Sequence, residues 1–149
     1  MEGQWFEDVS VPRLMLDARG AYREAASRAL AEAACDDIPR GGGLVLAGLD
    51  QSSPEPSFTT QADAVAFLRL SKQRSSQLID TLVLRGYLER RSDPDDARSR
   101  RIALTERGAA IVPVIREAVA ELERDWAGRL GAERFAQLRT LLVDLNELI

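Results

Sequence analysis

The chain has 149 residues and a formal net charge of −4, with 45% hydrophobic, 30% charged and 5% aromatic residues; that composition supports one compact core packed by Leu, Val, Ile and Ala and argues against wholesale disorder. No run reaches the roughly 18 apolar residues of a membrane span, and the lone Cys35 rules out an intramolecular disulfide framework. Histidine is absent, which removes the commonest general base and the commonest metal ligand; no cofactor and no metal site is expected.

Residues 1–10 read as a loose arm. Their acidic start, Met1 to Asp8, lacks the basic-then-apolar order of a secretory signal, so the expected location is cytoplasmic. Pro12 suits the first turn of a helix. Leu14, Ala18, Ala21/Tyr22, Ala25, Ala29 and Ala33 recur at three- and four-residue steps. The spacing predicts an amphipathic helix over 11–34, with an alanine-rich stripe that lets another helix come close. Asp36-Asp37-Ile38-Pro39 ends it. Pro39 is expected to open a short second helix through Leu49. Gly41-Gly42-Gly43 weakens that helix by about 1 kcal/mol per glycine relative to alanine, so packing or close backbone approach has to compensate.

A Ser/Pro-rich loop over 50–56 follows. Thr60 then caps a helix carrying Ala64, Val65, Phe67 and Leu68, with Asp63 near its N-terminus. Arg69-Leu70-Ser71 is a three-residue turn. Ser71 caps the next helix, which runs to Arg85 and stops at Gly86. Two short strands, 87–91 and 101–104, flank a polar hairpin tip over 92–100. Thr105 caps a long helix over 106–130, in which Pro113 should cause a kink or mark an irregular start. Gly131 breaks it, and a last helix carries Phe135, Leu138, Leu141/Leu142, Leu145 and Leu148/Ile149.

Two short helices joined by a tight turn and followed by a charged hairpin make a winged helix-turn-helix. Stepping roughly 100° per residue around the second helix, Leu78, Leu82, Ser75 and Ile79 face inward, while Gln73, Gln77, Ser76 and Asp80 face outward. Amides bond adenine and guanidinium bonds guanine in a major groove, so Gln73, Arg74, Ser76 and Gln77 are candidate base readers. Lys72 suits a phosphate, and Ser71 with the helix N-terminus offers donors for another. Arg98 and Arg100 belong to the wing. Arg98 is placed in the minor groove, whose negative potential favours a guanidinium, with Asp96 bracing it; the competing reading is a solvated turn. The charge distribution agrees: residues 69–101 hold nine Lys/Arg against five Asp/Glu, so this segment carries +4 and the remainder −8. A basic module in an acidic body concentrates positive potential, although a solvated charged face would look the same.

The stretch from Ser71 to Arg90 resembles the recognition helix of the MarR family of bacterial regulators. The stretch Asp93-Pro94-Asp95-Asp96-Ala97-Arg98…Leu104-Thr105-Glu106-Arg107-Gly108 resembles that family's wing and the start of its next helix. The resemblance is close over about 60–108. It implies a mainly α fold with a small β-hairpin wing, in one domain over 1–149. The helices over 11–34 and 106–149 would make a homodimer, and 39–105 would form the DNA-binding lobe. It further implies a repressor of double-stranded DNA at palindromic operators, released by a small molecule or an oxidant. Three positions depart from the family pattern. Ser75 stands where an aliphatic residue is usual, its hydroxyl expected to bond back to a carbonyl one turn earlier. Arg69 replaces a common glycine, and Ala97 a frequent arginine.

An effector pocket in such a fold would lie where the dimerisation helices meet the DNA-binding lobe; Trp5, Phe6, Met15 and Tyr22 are candidates to line it, and packing explains them equally well. Cys35 is the only redox candidate, against the plainer reading of an inert thiol. Two other functions remain to be weighed. An enzyme would need a nucleophile–base pair, a metal cluster or a phosphate loop, and the sequence carries none of these signatures. A winged helix that binds protein instead of DNA is the closer alternative, with Lys72, Gln73, Gln77 and Arg98 arguing against it.

Overall fold

The computed structural model describes residues 9–49, 60–68, 70–92 and 100–148. Among the described residues, six helices and one hairpin follow in the order α1 (Val11–Glu32), α2 (Gly42–Gly48), α3 (Gln61–Leu68), α4 (Lys72–Leu84), β1 (Leu88–Ser92), β2 (Arg100–Leu104), α5 (Glu106–Leu130) and α6 (Ala132–Glu147). The fold is mainly helical with a two-stranded antiparallel wing, as expected.

Local chemistry sets most of the boundaries. The Asp63 amide donates to Thr60 Oγ1 at 3.1 Å, and the Thr60 hydroxyl donates to the Asp63 carboxylate at 2.6 Å. Ser71 Oγ accepts from the Arg74 amide at 3.3 Å, and Thr105 Oγ1 from the Gly108 amide at 3.1 Å. Each hydroxyl satisfies a donor that the first helical turn leaves free. Gly86, at φ +75°, ends α4; the Tyr87 amide reaches back to the Leu82 carbonyl at 2.9 Å and the Gly86 amide to Val83 at 3.0 Å, a left-handed stop that favours glycine.

Several expectations need correction. Helix α1 ends at Glu32, two residues early. The second helix begins at Gly42 instead of Pro39, because Gly41 takes φ +89° and breaks helical geometry ahead of it. The glycine run serves close packing. A Cβ on Gly42 would lie 2.8 Å from Ile38 Cγ2 and 3.1 Å from Leu82 Cδ2. Strand β1 is shifted on by one residue at both ends, β2 begins one residue early at Arg100 and ends at Leu104 as expected, and α5 runs unbroken through Pro113. Ser75 does not bond back along its helix. Its Oγ is fully buried with no hydrogen-bond partner, and the back-bond occurs instead at Thr81, whose hydroxyl donates to the Gln77 carbonyl at 2.8 Å.

The core lies inside the winged lobe and along α5. Val45, Leu46 and Leu49 meet Ala64, Leu68, Leu78, Ile79 and Leu82; Tyr87, Leu88 and Ile102 close the wing side, and Ile111, Val112 and Ile115 of α5 complete it. Helix α1 packs along α5, where Tyr22 meets Trp126 edge-on at 5.0 Å between ring centroids and donates to Glu123 at 3.0 Å. Helix α6 buries nothing in the single chain. Leu138, Leu141, Leu142, Val143 and Leu145 stay exposed on it, as do Val11, Leu14, Met15 and Leu16 on α1.

Candidate nucleic-acid interface

The face of α4 turned away from the core carries the predicted groups. Ser71, Lys72, Gln73, Arg74 and Gln77 are exposed, and Ser76 is half-buried. The opposite face is anchored by the buried residues Ser75, Leu78, Ile79 and Leu82. Sequence periodicity therefore assigned the two sides of α4 correctly. Ser71 divides its roles, since its hydroxyl is used in capping.

Asp80 shares the outward side but is not a bare charge. It forms an ion pair with Arg90 of β1, and Arg90 Nε also donates to Gln61 Oε1 of α3 at 3.4 Å. One guanidinium thus ties the recognition helix, the preceding helix and the wing base together, while cancelling a carboxylate that would repel phosphate. A β-bridge from Thr60 to Arg101 adds a second tie between α3 and the wing. In the wing itself, Arg100 is exposed opposite Ser92, and Arg91 is turned onto Glu89, 2.7 Å from Nε to the carboxylate. Arg98 and Asp96, which was expected to brace it, lie outside the described residues, as does Arg69.

A second polar cluster sits behind α4. The Tyr87 hydroxyl donates to the Asp37 carboxylate. Arg107 donates to that carboxylate at 3.2 Å, to the Tyr87 oxygen at 2.8 Å and to the Arg85 carbonyl at 2.7 Å. Its guanidinium carbon also stands 4.2 Å from the Tyr87 ring centroid, a cation–π distance. The bond from Tyr87, together with the charge of Arg107, holds the Asp37 carboxyl below its usual range. Burial, with Asp37 and the Cys35 thiol, pushes the Tyr87 phenol far up.

With this geometry in view, the comparisons are specific. The sequence profile of the MarR family matches residues 43–99, from within α2 to the residue before β2. The apo form of wild-type MarR from E. coli is 23% identical, with a TM-score of 0.70, covering 92% of this chain and 97% of that one. The S. aureus MepR–DNA complex is 22% identical, with a TM-score of 0.73, covering 95% and 100%. A further MarR crystal structure is 20% identical, with a TM-score of 0.77, covering 94% and 90%. No curated protein matches in sequence.

The chain has the winged helix-turn-helix fold of these MarR structures, and its residues 43–99 match the MarR family.

In this MarR-like fold a cleft of about 270 Å³ opens between α1, α2, α5 and the turn joining α1 to α2. Ile38, Leu44 and Ile115 supply part of its apolar lining, and Arg19, Arg23 and Arg40 stand exposed around it. None of the three arginines pairs with a carboxylate among the described residues. Of the candidates taken from sequence, Tyr22 lines the cleft, while Met15 does not and lies exposed on α1; Trp5 and Phe6 lie outside the described residues. Burial and the bond to Glu123 raise the Tyr22 phenol to about 12, so this hydroxyl is already committed as a donor. Sequence reasoning missed the arginines because Arg40 comes from a different element than Arg19 and Arg23.

Proposed function

We propose that this chain is a homodimeric, sequence-specific DNA-binding transcriptional regulator, a repressor at palindromic operators that is released by a small ligand. The observation that carries the reading is the outward face of α4: exposed Lys72, Gln73, Arg74 and Gln77 on a helix whose other face is anchored in the core. The likeness to MepR bound to DNA supports that placement. The unpartnered apolar faces of α1 and α6 support a dimer, in which 11–34 and 106–149 would pair and 39–105 would act as the DNA-binding lobe. Two-fold symmetry would set the recognition helices one duplex turn, ~34 Å, apart. Lys72, Arg98 and Arg100 would meet backbone phosphates or the minor groove, while Gln73, Arg74, Ser76 and Gln77 would read bases. The cleft suits an anion with an apolar body, because Arg19, Arg23 and Arg40, unpaired among the described residues, flank aliphatic walls.

A gel-shift on the DNA upstream of the protein's own gene tests this. Binding should weaken steeply with salt, as log K falls by about 0.9 per neutralised phosphate per log unit of salt. Arg98→Ala should lower affinity several-fold with the dimer intact, and Gln77→Ala should cost about 1–3 kcal/mol and relax the sequence preference at one position of each half-site. Salt-insensitive or absent binding would favour the protein-interaction alternative.

A further inference from the structure

Resting on the reading of the arginine-flanked cleft as a ligand site, we propose that the turn between α1 and α2 relays occupancy of that cleft to the recognition helix, with Asp37 as the positioning residue. The turn has two sides. Ile38, Pro39, Arg40 and Gly41 line the cleft. Asp37, the next residue back, accepts from Tyr87 and Arg107. Arg107 then donates to the carbonyl of Arg85, the C-cap of α4. Two charge-assisted contacts therefore separate the cleft wall from the end of the recognition helix.

An independent set of contacts runs parallel to this one. The Cβ position of Gly42 is filled by Ile38 on one side and Leu82 on the other, at 2.8 and 3.1 Å, and that of Gly41 lies 3.5 Å from Leu78 Cδ2. Ile38 lines the cleft, whereas Leu78 and Leu82 belong to the buried face of α4. The partition is one backbone layer thick and too closely packed to absorb a displacement locally. An anion drawing Arg19, Arg23 and Arg40 together carries the turn with it. Asp37 and the Gly42 contact pass that movement to α4 and the wing base as one body. A ligand acts this way only if it binds one pose better than the other, and the turn is where the two poses differ.

The test uses full-length protein, a DNA fragment selected in vitro against the wild type, and 2-naphthoate as the probe, a carboxylate on a flat apolar body. Calorimetry reads naphthoate binding directly, and fluorescence anisotropy reads DNA affinity with and without it at fixed salt. In the wild type naphthoate should weaken DNA binding by about fivefold or more, and Asp37→Asn should keep both separate affinities within about threefold while the ratio falls below about twofold. Tyr87→Phe, which keeps the ring under Arg107 and loses the hydroxyl, should lower the ratio in the same direction. A merely structural role would lower the melting temperature and leave that ratio alone. An unchanged ratio in both variants, with naphthoate still bound, overturns the relay and spares the cleft. Naphthoate that binds without affecting DNA does the same. No naphthoate binding to the wild type overturns the cleft reading, and the relay with it.

Discussion

Gly108 lies where the wing, the recognition helix and α5 converge, and alanine there is expected to be costly. An added Cβ would lie 2.1 Å from the Tyr87 carbonyl oxygen, 3.1 Å from its carbon and 3.2 Å from Leu104 Cδ2. Ordinary contact begins at 3.4 Å, so backbone has to move by more than an ångström. Lifting the first turn of α5 that far stretches the bond from the Thr105 amide to the Tyr87 carbonyl, at 3.1 Å, and the bond of its hydroxyl, which is shared between the Gly86 carbonyl at 2.6 Å and the Tyr87 carbonyl at 3.1 Å. Two such bonds are worth about 1 kcal/mol each, and forced overpacking adds about 1–3 kcal/mol. Alanine's better helix propensity returns about 1 kcal/mol. Gly108→Ala should therefore lose about 2–4 kcal/mol net, or about 4–16 °C in melting temperature for a chain of this size. Urea unfolding followed by circular dichroism, at matched protein concentration because a dimer's stability depends on it, measures the loss. Gly128, in the same helix with nothing within 4 Å of its Cβ position, is the internal control, and Gly128→Ala should gain about 0.5–1 kcal/mol. If Gly108→Ala matched the wild type or behaved like the control, the reasoning from close approach would be wrong.

Ser75→Ala removes a buried hydroxyl without a partner and should stabilise the fold by about 1–2 kcal/mol, with DNA affinity unchanged; destabilisation in the same urea assay would mean that the hydroxyl has a role. Arg90→Ala frees Asp80 and Gln61 and should weaken DNA binding several-fold, and the charge swap Asp80→Arg with Arg90→Asp should recover more affinity than either single change, as read by anisotropy. Leu141→Asp with Leu145→Asp places charge in the exposed stripe of α6; light scattering should then report monomers, and a persistent dimer would move the interface elsewhere. Acidification should weaken the Asp37 cluster. Its carboxyl is depressed in the fold, so its contribution is full above the usual carboxylate range and is lost as pH falls through the lowered value. Melting temperatures of wild type and Asp37→Asn should therefore converge at low pH.

What the sequence made legible was local. Thr60, Ser71 and Thr105 were readable as caps because the bonds they make span three residues. Helical periodicity sorted α4 into its two faces for the same reason. The unread parts join distant positions. Asp37, Tyr87 and Arg107 are separated by 50 and 20 residues, and no pattern along the chain announces their meeting. Asp80 looked like an outward acid because its partner lies ten residues on in another element. Ser75 misled for a related reason: a local back-bond was available to it, and burial against the core gave it no partner at all.

The ties around α4 also constrain what regulation can look like. Arg90 binds the recognition helix to α3 and β1, Thr60 pairs with Arg101 of β2, and the Tyr87 carbonyl receives Thr105 at the foot of α5. Together these bonds fix the wing base against α3, the recognition helix and the foot of α5, so deforming the reading head would break several at once. Moving it as a unit would mainly disturb the turn before α2, where one layer of backbone meets the cleft. In a two-fold dimer such a movement alters the distance between two otherwise unchanged heads. Operator affinity depends steeply on that distance, because both helices must enter successive major grooves on one face of the duplex, ~34 Å apart. On the proposed reading, a small displacement at the turn would switch binding without remodelling any of the candidate base-reading residues of α4.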